Sequence, residues 1–148
     1  MSQLMSIAIK YKKKGAMQVF ESVQITKKYG VANDFRGKPG KRQVTVLSYH
    51  AWSKTCVELN SPLSWLTRRA NLLVDELDLY QTTGKAIAIG KVRLLITGET
   101  DPCARMDESH PGLFNALLTN WRGGVCCQVV EEGEISINDT VEIIEYAG

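Results

Sequence analysis

The chain has 148 residues, of which 44% are hydrophobic and 23% charged, the balance of a soluble globule with room for one core and too short for two independent ones. Its formal net charge is +2, but the first 42 residues carry ten Lys or Arg against two acids, and the remainder carries eight against fourteen. That composition excludes disorder, and the polarisation predicts an anionic ligand, or a partner docking on one face, near the N-terminal third.

Elements follow as short Val- and Ile-rich runs. Leu4 to Tyr11, a lysine cluster ending at Gly15, and Met17 to Ile25 predict a β-hairpin, with Lys10 to Lys14 as a solvated tip. Lys27 to Arg42 is a basic, Gly-rich connection, about as long as loops become without a function. Gln43 to Tyr49 alternates as a strand, and Ala51 to Leu59 predicts a short helix stopped by Asn60-Ser61-Pro62. Ala70 to Val74, Ala86 to Ile89 and Lys91 to Thr97 read as strands. Pro111 to Leu118 predicts a helix with Pro at its first position, closed by Gly123-Gly124. Val125 to Val130 and Thr140 to Tyr146 end the chain as strands. With no βαβ rhythm and no linker, the expectation is one mostly β domain over residues 1–148, an antiparallel barrel or sandwich with a few short helices.

Cys56, Cys103, Cys126 and Cys127 have neither the density nor the spacing of a secreted disulfide scaffold, and no CxxC pair suggests zinc. The apolar run Leu4 to Ile9 precedes the lysines, the reverse of a secretory signal, and no stretch approaches a membrane span. A cytoplasmic protein with no membrane partner is expected. Nucleic acid is not expected as a partner, because Tyr11, Tyr29, Phe35 and Trp52 are not spaced along one strand as a stacking platform. Phosphate-loop, dinucleotide, zinc-protease and serine-hydrolase motifs are absent.

Three segments carry candidate chemistry. Thr100-Asp-Pro-Cys-Ala-Arg-Met106 places Cys103 in a Pro-stiffened connection after a strand, where a thiol can reach a ligand. Taken alone, that segment fits better a small buried cysteine at a strand end. Arg68-Arg69-Ala-Asn71 supplies fork-shaped donors for a phosphate and an amide for a heterocycle edge, with Arg69 and Asn71 on one strand face. Taken alone, it fits better a salt bridge to Asp75 or Glu76. Arg122 stands beside Gly123-Gly124, where backbone can approach a ligand. Cys126 and Cys127, adjacent on a strand, face opposite sides and read as packing residues, and His110 reads as a cap for the helix at Pro111.

In this order, Gly30 to Asp34 with Arg36, Arg42 to Leu47, Arg69-Ala-Asn-Leu-Leu73, Gly90 to Thr97, Pro102-Cys103, Gly123-Gly-Val125 and Gly133 to Asp139 resemble the MOSC domain, found at the C-terminus of molybdenum cofactor sulfurases and as stand-alone bacterial proteins. The resemblance implies a β-barrel like the barrel domain of pyruvate kinase. It implies that Cys103 supplies a thiolate to molybdenum as metal ligand and catalytic residue, and that Arg69 and Asn71 help hold the molybdenum cofactor. Arg36, Arg42 and Arg122 are looser candidates for its pterin and phosphate. The chain departs from the family in reading Arg36-Gly-Lys-Pro-Gly-Lys-Arg42 where stand-alone members often carry His-Gly-Gly. The implied activity is two-electron reduction of an N-hydroxylated small molecule, with electrons from a separate reductase because the chain has no room for a flavin or iron-sulfur domain. Two other readings stay open: Cys103 as a persulfide sulfur carrier for metal-sulfur or cofactor maturation, and a non-catalytic module that binds an anionic ligand.

Overall fold

Alternation of apolar residues along strands bounded by Gly, Asn and Asp turns produces a barrel whose inner wall is aliphatic. The computed structural model describes residues 2–12, 15–35 and 37–147. Eleven strands are present among them: β1 (Ser2–Ile9), β2 (Gln18–Phe20), β3 (Ser22–Thr26), β4 (Gly30–Val31), β5 (Val44–Ser48), β6 (Leu72–Val74), β7 (Ala86–Ile89), β8 (Val92–Glu99), β9 (Val125–Glu131), β10 (Gly133–Ser136) and β11 (Thr140–Ile144). Three short helices accompany them, α1 (Tyr49–Glu58), α2 (Met106–Ser109) and α3 (Leu113–Leu117).

Seven strands run β11-β7-β8-β9-β5-β6-β1 and close on themselves where Ser2 of β1 opposes Val141 of β11. The fold is therefore a mostly β, closed barrel with a few short helices, as the sequence predicted. β2 continues the sheet from the other half of β1, and β10-β3-β4 form a small second sheet. Every pairing is antiparallel except β5 with β6, and a parallel pair requires a long crossover. The crossover here contains α1 and a 3₁₀ turn, Trp65–Arg68.

Alternation divides the apolar residues between two cores. Val44, Val46, Leu72, Val74, Leu94, Ile96, Val125, Cys127 and Val129 fill the barrel. Leu47 and Leu73, on the outer faces of β5 and β6, pack with Trp52 of α1 and with Leu113 and Leu117 of α3. Burying one such leucine removes from water an area worth about 1.5–3 kcal/mol, so the helices are held by the outer face of the parallel pair. Burial raises the Cys127 thiol far above its ordinary pKa, in keeping with a packing role.

Some elements differ from the sequence reading. The predicted long second strand breaks after Phe20, and β3 leaves the barrel to pair with β10. The Lys27–Arg42 connection contains the two-residue β4. Helix α3 begins at Leu113, two residues after Pro111, because Gly112 takes φ 87° as its first boundary, and the Asp107 carboxylate accepts from the first-turn Phe114 N–H at 3.0 Å. His110 instead bonds through its ring nitrogens to the Pro111 carbonyl at 2.9 Å and the Ser61 hydroxyl at 3.0 Å. Among the described residues no helix is long and apolar enough to cross a membrane.

Candidate functional site

The long basic connection is folded by two polar side chains. Gln43, only 1% exposed, donates its amide to the carbonyls of Lys27 (2.6 Å) and Gly37 (3.2 Å) and accepts from the Val129 N–H (3.0 Å). Asp34 accepts from the Lys10 backbone N–H at 3.0 Å, and Phe35 N–H returns a bond to the Lys10 carbonyl at 2.7 Å. Gly37 is required there, since a Cβ would sit 1.7 Å from the Tyr29 carbonyl oxygen. These ties curl the loop over one end of β5 and leave a cleft of about 610 Å³, within the range of small-molecule sites.

Lys10, Lys38, Lys41, Arg42 and Arg69 line this cleft with a single carboxylate, Asp34. Met17, Phe35 and Pro39 give it an apolar wall, and Thr45, Asn71 and Thr100 complete it. Lys10, 4% exposed, belongs to the cleft and not to a solvated hairpin tip. The sequence reading placed Lys10, Lys38 and Lys41 in a general basic region without assigning any of them to a site. Their concentration in the first 42 residues was the available signal.

Arg69 and Asn71 meet at this cleft by a route other than a shared strand face, because β6 begins only at Leu72. Arg69 ends the 3₁₀ turn with φ 64° and donates a guanidinium N–H to the Gly15 carbonyl. Asn71 accepts from the Thr45 N–H at 3.1 Å and donates to the Ala8 carbonyl at 3.2 Å. Its amide thus bolts β1 to the entries of β5 and β6, and the second amide N–H remains for the cleft. Arg42 is exposed on the cleft wall. Arg36 lies outside the described residues.

Arg122 is elsewhere. It pairs with Glu58 at 2.7 Å, donates to the Ala116 carbonyl at 3.3 Å, and holds the Glu58 carboxyl below its ordinary pKa by that hydrogen bond and its charge. It lines a second cleft of about 350 Å³ with His50, Lys54, Glu76, Asp78 and Trp121. This cleft lies past the other ends of β5 and β6.

Cys103 is exposed in the connection from β8 to α2, and its carbonyl accepts from the Met106 N–H at 2.8 Å. It follows by three residues Thr100, which lines the cationic cleft, so the chain places its Cα within about 10 Å of that wall. Arg68, which the sequence grouped with Arg69 as a phosphate donor, does not line the cleft and instead anchors this connection. It is 9% exposed and donates from Nη2 to the Thr100 carbonyl at 2.6 Å and from Nε to the Gly123 carbonyl at 3.1 Å. Burial and the adjacent Asp101 carboxylate raise the neighbouring Glu99 carboxyl above the ordinary range, while Arg68 pulls it down.

The class of protein is a closed, mostly antiparallel β-barrel, with a cationic cleft and, three residues along the chain from its wall residue Thr100, an exposed thiol. Residues 33–142 match the family model of the MOSC domain, and the chain belongs to that family. Its fold is similar to that of the YuaD protein from Bacillus subtilis, with a TM-score of 0.81 at 20% identity over 99% of this chain and 98% of that one. It is also similar to YiiM from Geobacillus stearothermophilus (TM-score 0.76, 15% identity, 98% of this chain and 76% of that one). YiiM from Escherichia coli gives a TM-score of 0.72 at 13% identity over 99% and 71%. A search of curated proteins returns no match to the chain.

Proposed function

We propose that this MOSC protein binds molybdenum cofactor and reduces N-hydroxylated compounds with electrons from a separate reductase. One observation carries the reading: five cationic side chains against one carboxylate converge on a cleft whose wall residue Thr100 leads in three residues to an exposed thiol.

The donor set fits such a group. Guanidinium and ammonium side chains suit a terminal phosphate. No set of three or more His, Cys, Asp or Glu among the described residues could hold a metal ion, so a metal here has to bring most of its ligands with it, as a pterin dithiolene does. When bound, the cofactor supplies the two-electron cleavage of an N–O bond, yielding the reduced nitrogen compound and water with two electrons from the reductase and two protons.

This chain's residues do the holding. Arg69 and Arg42 neutralise the phosphate, with Lys10, Lys38 and Lys41 adding to the field that draws the anion in. The unengaged N–H of Asn71 meets a heterocycle edge. Cys103 offers one soft thiolate to the metal. The apolar wall of Met17, Phe35 and Pro39 excludes water from one side of the bound group.

The test is the metal and pterin content of protein purified without oxygen from a host that makes the cofactor. Near-stoichiometric molybdenum with pterin is expected, and loss of the metal in Cys103→Ser with the fold intact. Absence of both from the wild type overturns the reading. The exposure of Cys103 favours a second reading, a persulfide sulfur carrier, for which the mark is one added sulfur on Cys103 that a reductant removes.

A further inference from the structure

Arg68 and Arg69 are neighbours in sequence, yet their side chains do different work. The 3₁₀ turn ends between them, and the left-handed backbone of Arg69 directs its guanidinium to the cleft and to the Gly15 carbonyl. Arg68 remains within the turn and is buried, with its fork closed on two backbone carbonyls from separate connections. One is Thr100, at the root of the segment that carries Cys103. The other is Gly123, at the entry to β9.

Thr100 is the most heavily tied residue of its connection. Its carbonyl takes the Arg68 bond, its N–H donates to the Gly124 carbonyl at 2.9 Å, and its hydroxyl lies 3.3 Å from Cys126 Sγ. On the far side of the thiol, the Cys103 carbonyl takes the Met106 N–H. Only Asp101 and Pro102 separate the clamped carbonyl from Cys103, and the proline ring removes one of the free torsions between them. A shift of the Thr100 anchor therefore carries over to the thiol with little slack.

The sequence around the clamp is fitted to it. A Cβ on Gly123 would stand 2.9 Å from Arg68 Nη2 and 3.0 Å from the Thr100 carbonyl oxygen. Any side chain there has to push the guanidinium or the Thr100 carbonyl aside.

We infer that Arg68 is a positioning residue, which sets where the Cys103 thiol stands relative to the cationic cleft by clamping Thr100 and Gly123 and makes no ligand contact itself. The inference rests on the reading of Cys103 and the cleft as one site. It assigns the two adjacent arginines opposite roles, Arg69 to the anion and Arg68 to the thiol.

The test uses the field of the cleft as a ruler. A thiol held within the field of the cationic cleft reacts faster with the anion iodoacetate, relative to neutral iodoacetamide, than a thiol in solvent does, with Asp101 and Asp107 of the same segment working against that ratio. The ratio of the two alkylation rates at Cys103 is read by mass spectrometry on the cofactor-free full chain, with the same chain unfolded in urea as reference. Gly123→Ala alters the clamp and no charge, and Arg68→Lys keeps the charge and loses the fork. Circular dichroism establishes that each variant is folded, and if Arg68→Lys does not fold, Gly123→Ala decides alone.

The expected result is a ratio raised in the folded wild type and lowered by about threefold in both variants, the scale of one exposed charge interaction. A ratio raised in the wild type and unchanged in the folded variants overturns the positioning role and leaves the site intact. A wild-type ratio equal to that of the unfolded chain overturns the pairing of thiol and cleft, and the inference with it.

Discussion

The two clefts lie at opposite ends of the same parallel pair, β5 and β6, and differ in how their charges are balanced. At the entry end, Lys10, Lys38, Lys41, Arg42 and Arg69 face Asp34 as the one carboxylate among the described lining residues. At the exit end, Lys54 and Arg122 face Glu76 and Asp78, and Arg122 is already tied to Glu58. Concavity is common to both; an excess of cations over acids among the described lining residues belongs to one. A cleft whose cations are matched by its own acids has little field left to draw an anion, whereas one with a net excess of cations remains attractive until a ligand arrives.

The largest effect that separates the ends should come from Gly37→Ala. With its Cβ 1.7 Å from the Tyr29 carbonyl oxygen, the basic loop has to unfold from the barrel, and stability should fall by about 3 kcal/mol. An unchanged urea midpoint would show that the loop is not packed as described.

Next in size is the contrast between two arginines. Arg69→Ala should weaken binding of inorganic phosphate by about tenfold, the loss of one charge-assisted contact of roughly 1.4 kcal/mol. Arg122→Ala, at the matched cleft, should change it by less than about twofold. Equal losses in isothermal titrations would erase the distinction between the clefts.

Smaller, and opposite in sign, are the responses of two glutamates to pH. Glu99 has a folded pKa raised above 4.5, first by burial and then by Asp101. Its contribution to stability is intact below the unfolded pKa and lost as pH rises through the folded value. Glu99→Gln should therefore melt higher than wild type at neutral pH and level with it near pH 4. Glu58 has a lowered pKa from its hydrogen bond to Arg122, so its contribution is present above 4.5 and lost as pH falls through the folded value. Glu58→Gln should melt slightly lower than wild type at neutral pH and converge with it in acid. Melting curves across pH 3.5 to 8 that move both variants in the same direction would refute the causes assigned to the two shifts.

Strand alternation was legible because it is a local property. Val44 and Val46 point one way and Leu47 the other whatever the rest of the chain does, and the mostly β class followed from such runs. β10 was not read as a strand, since Gly133-Glu-Ile-Ser136 offers one buried residue, Ile135, and takes its partner β3 from over a hundred residues away. The hairpin's break after Phe20 was hidden for the same reason.

By itself, then, the sequence determined the β-rich class, the polarised charge and the cysteine, arginine and asparagine residues that resemble a MOSC domain, all of which are carried by residue type and short spacing. The tertiary structure alone decided which cations share a cleft. It put Lys10 with Lys41 and Arg42, sent Arg122 to the other end of β5 and β6, and turned Arg68 away from Arg69. Those outcomes depend on barrel closure and on a single left-handed residue at the end of a turn, and neither the register of distant strands nor the direction of a buried guanidinium is written in any local pattern.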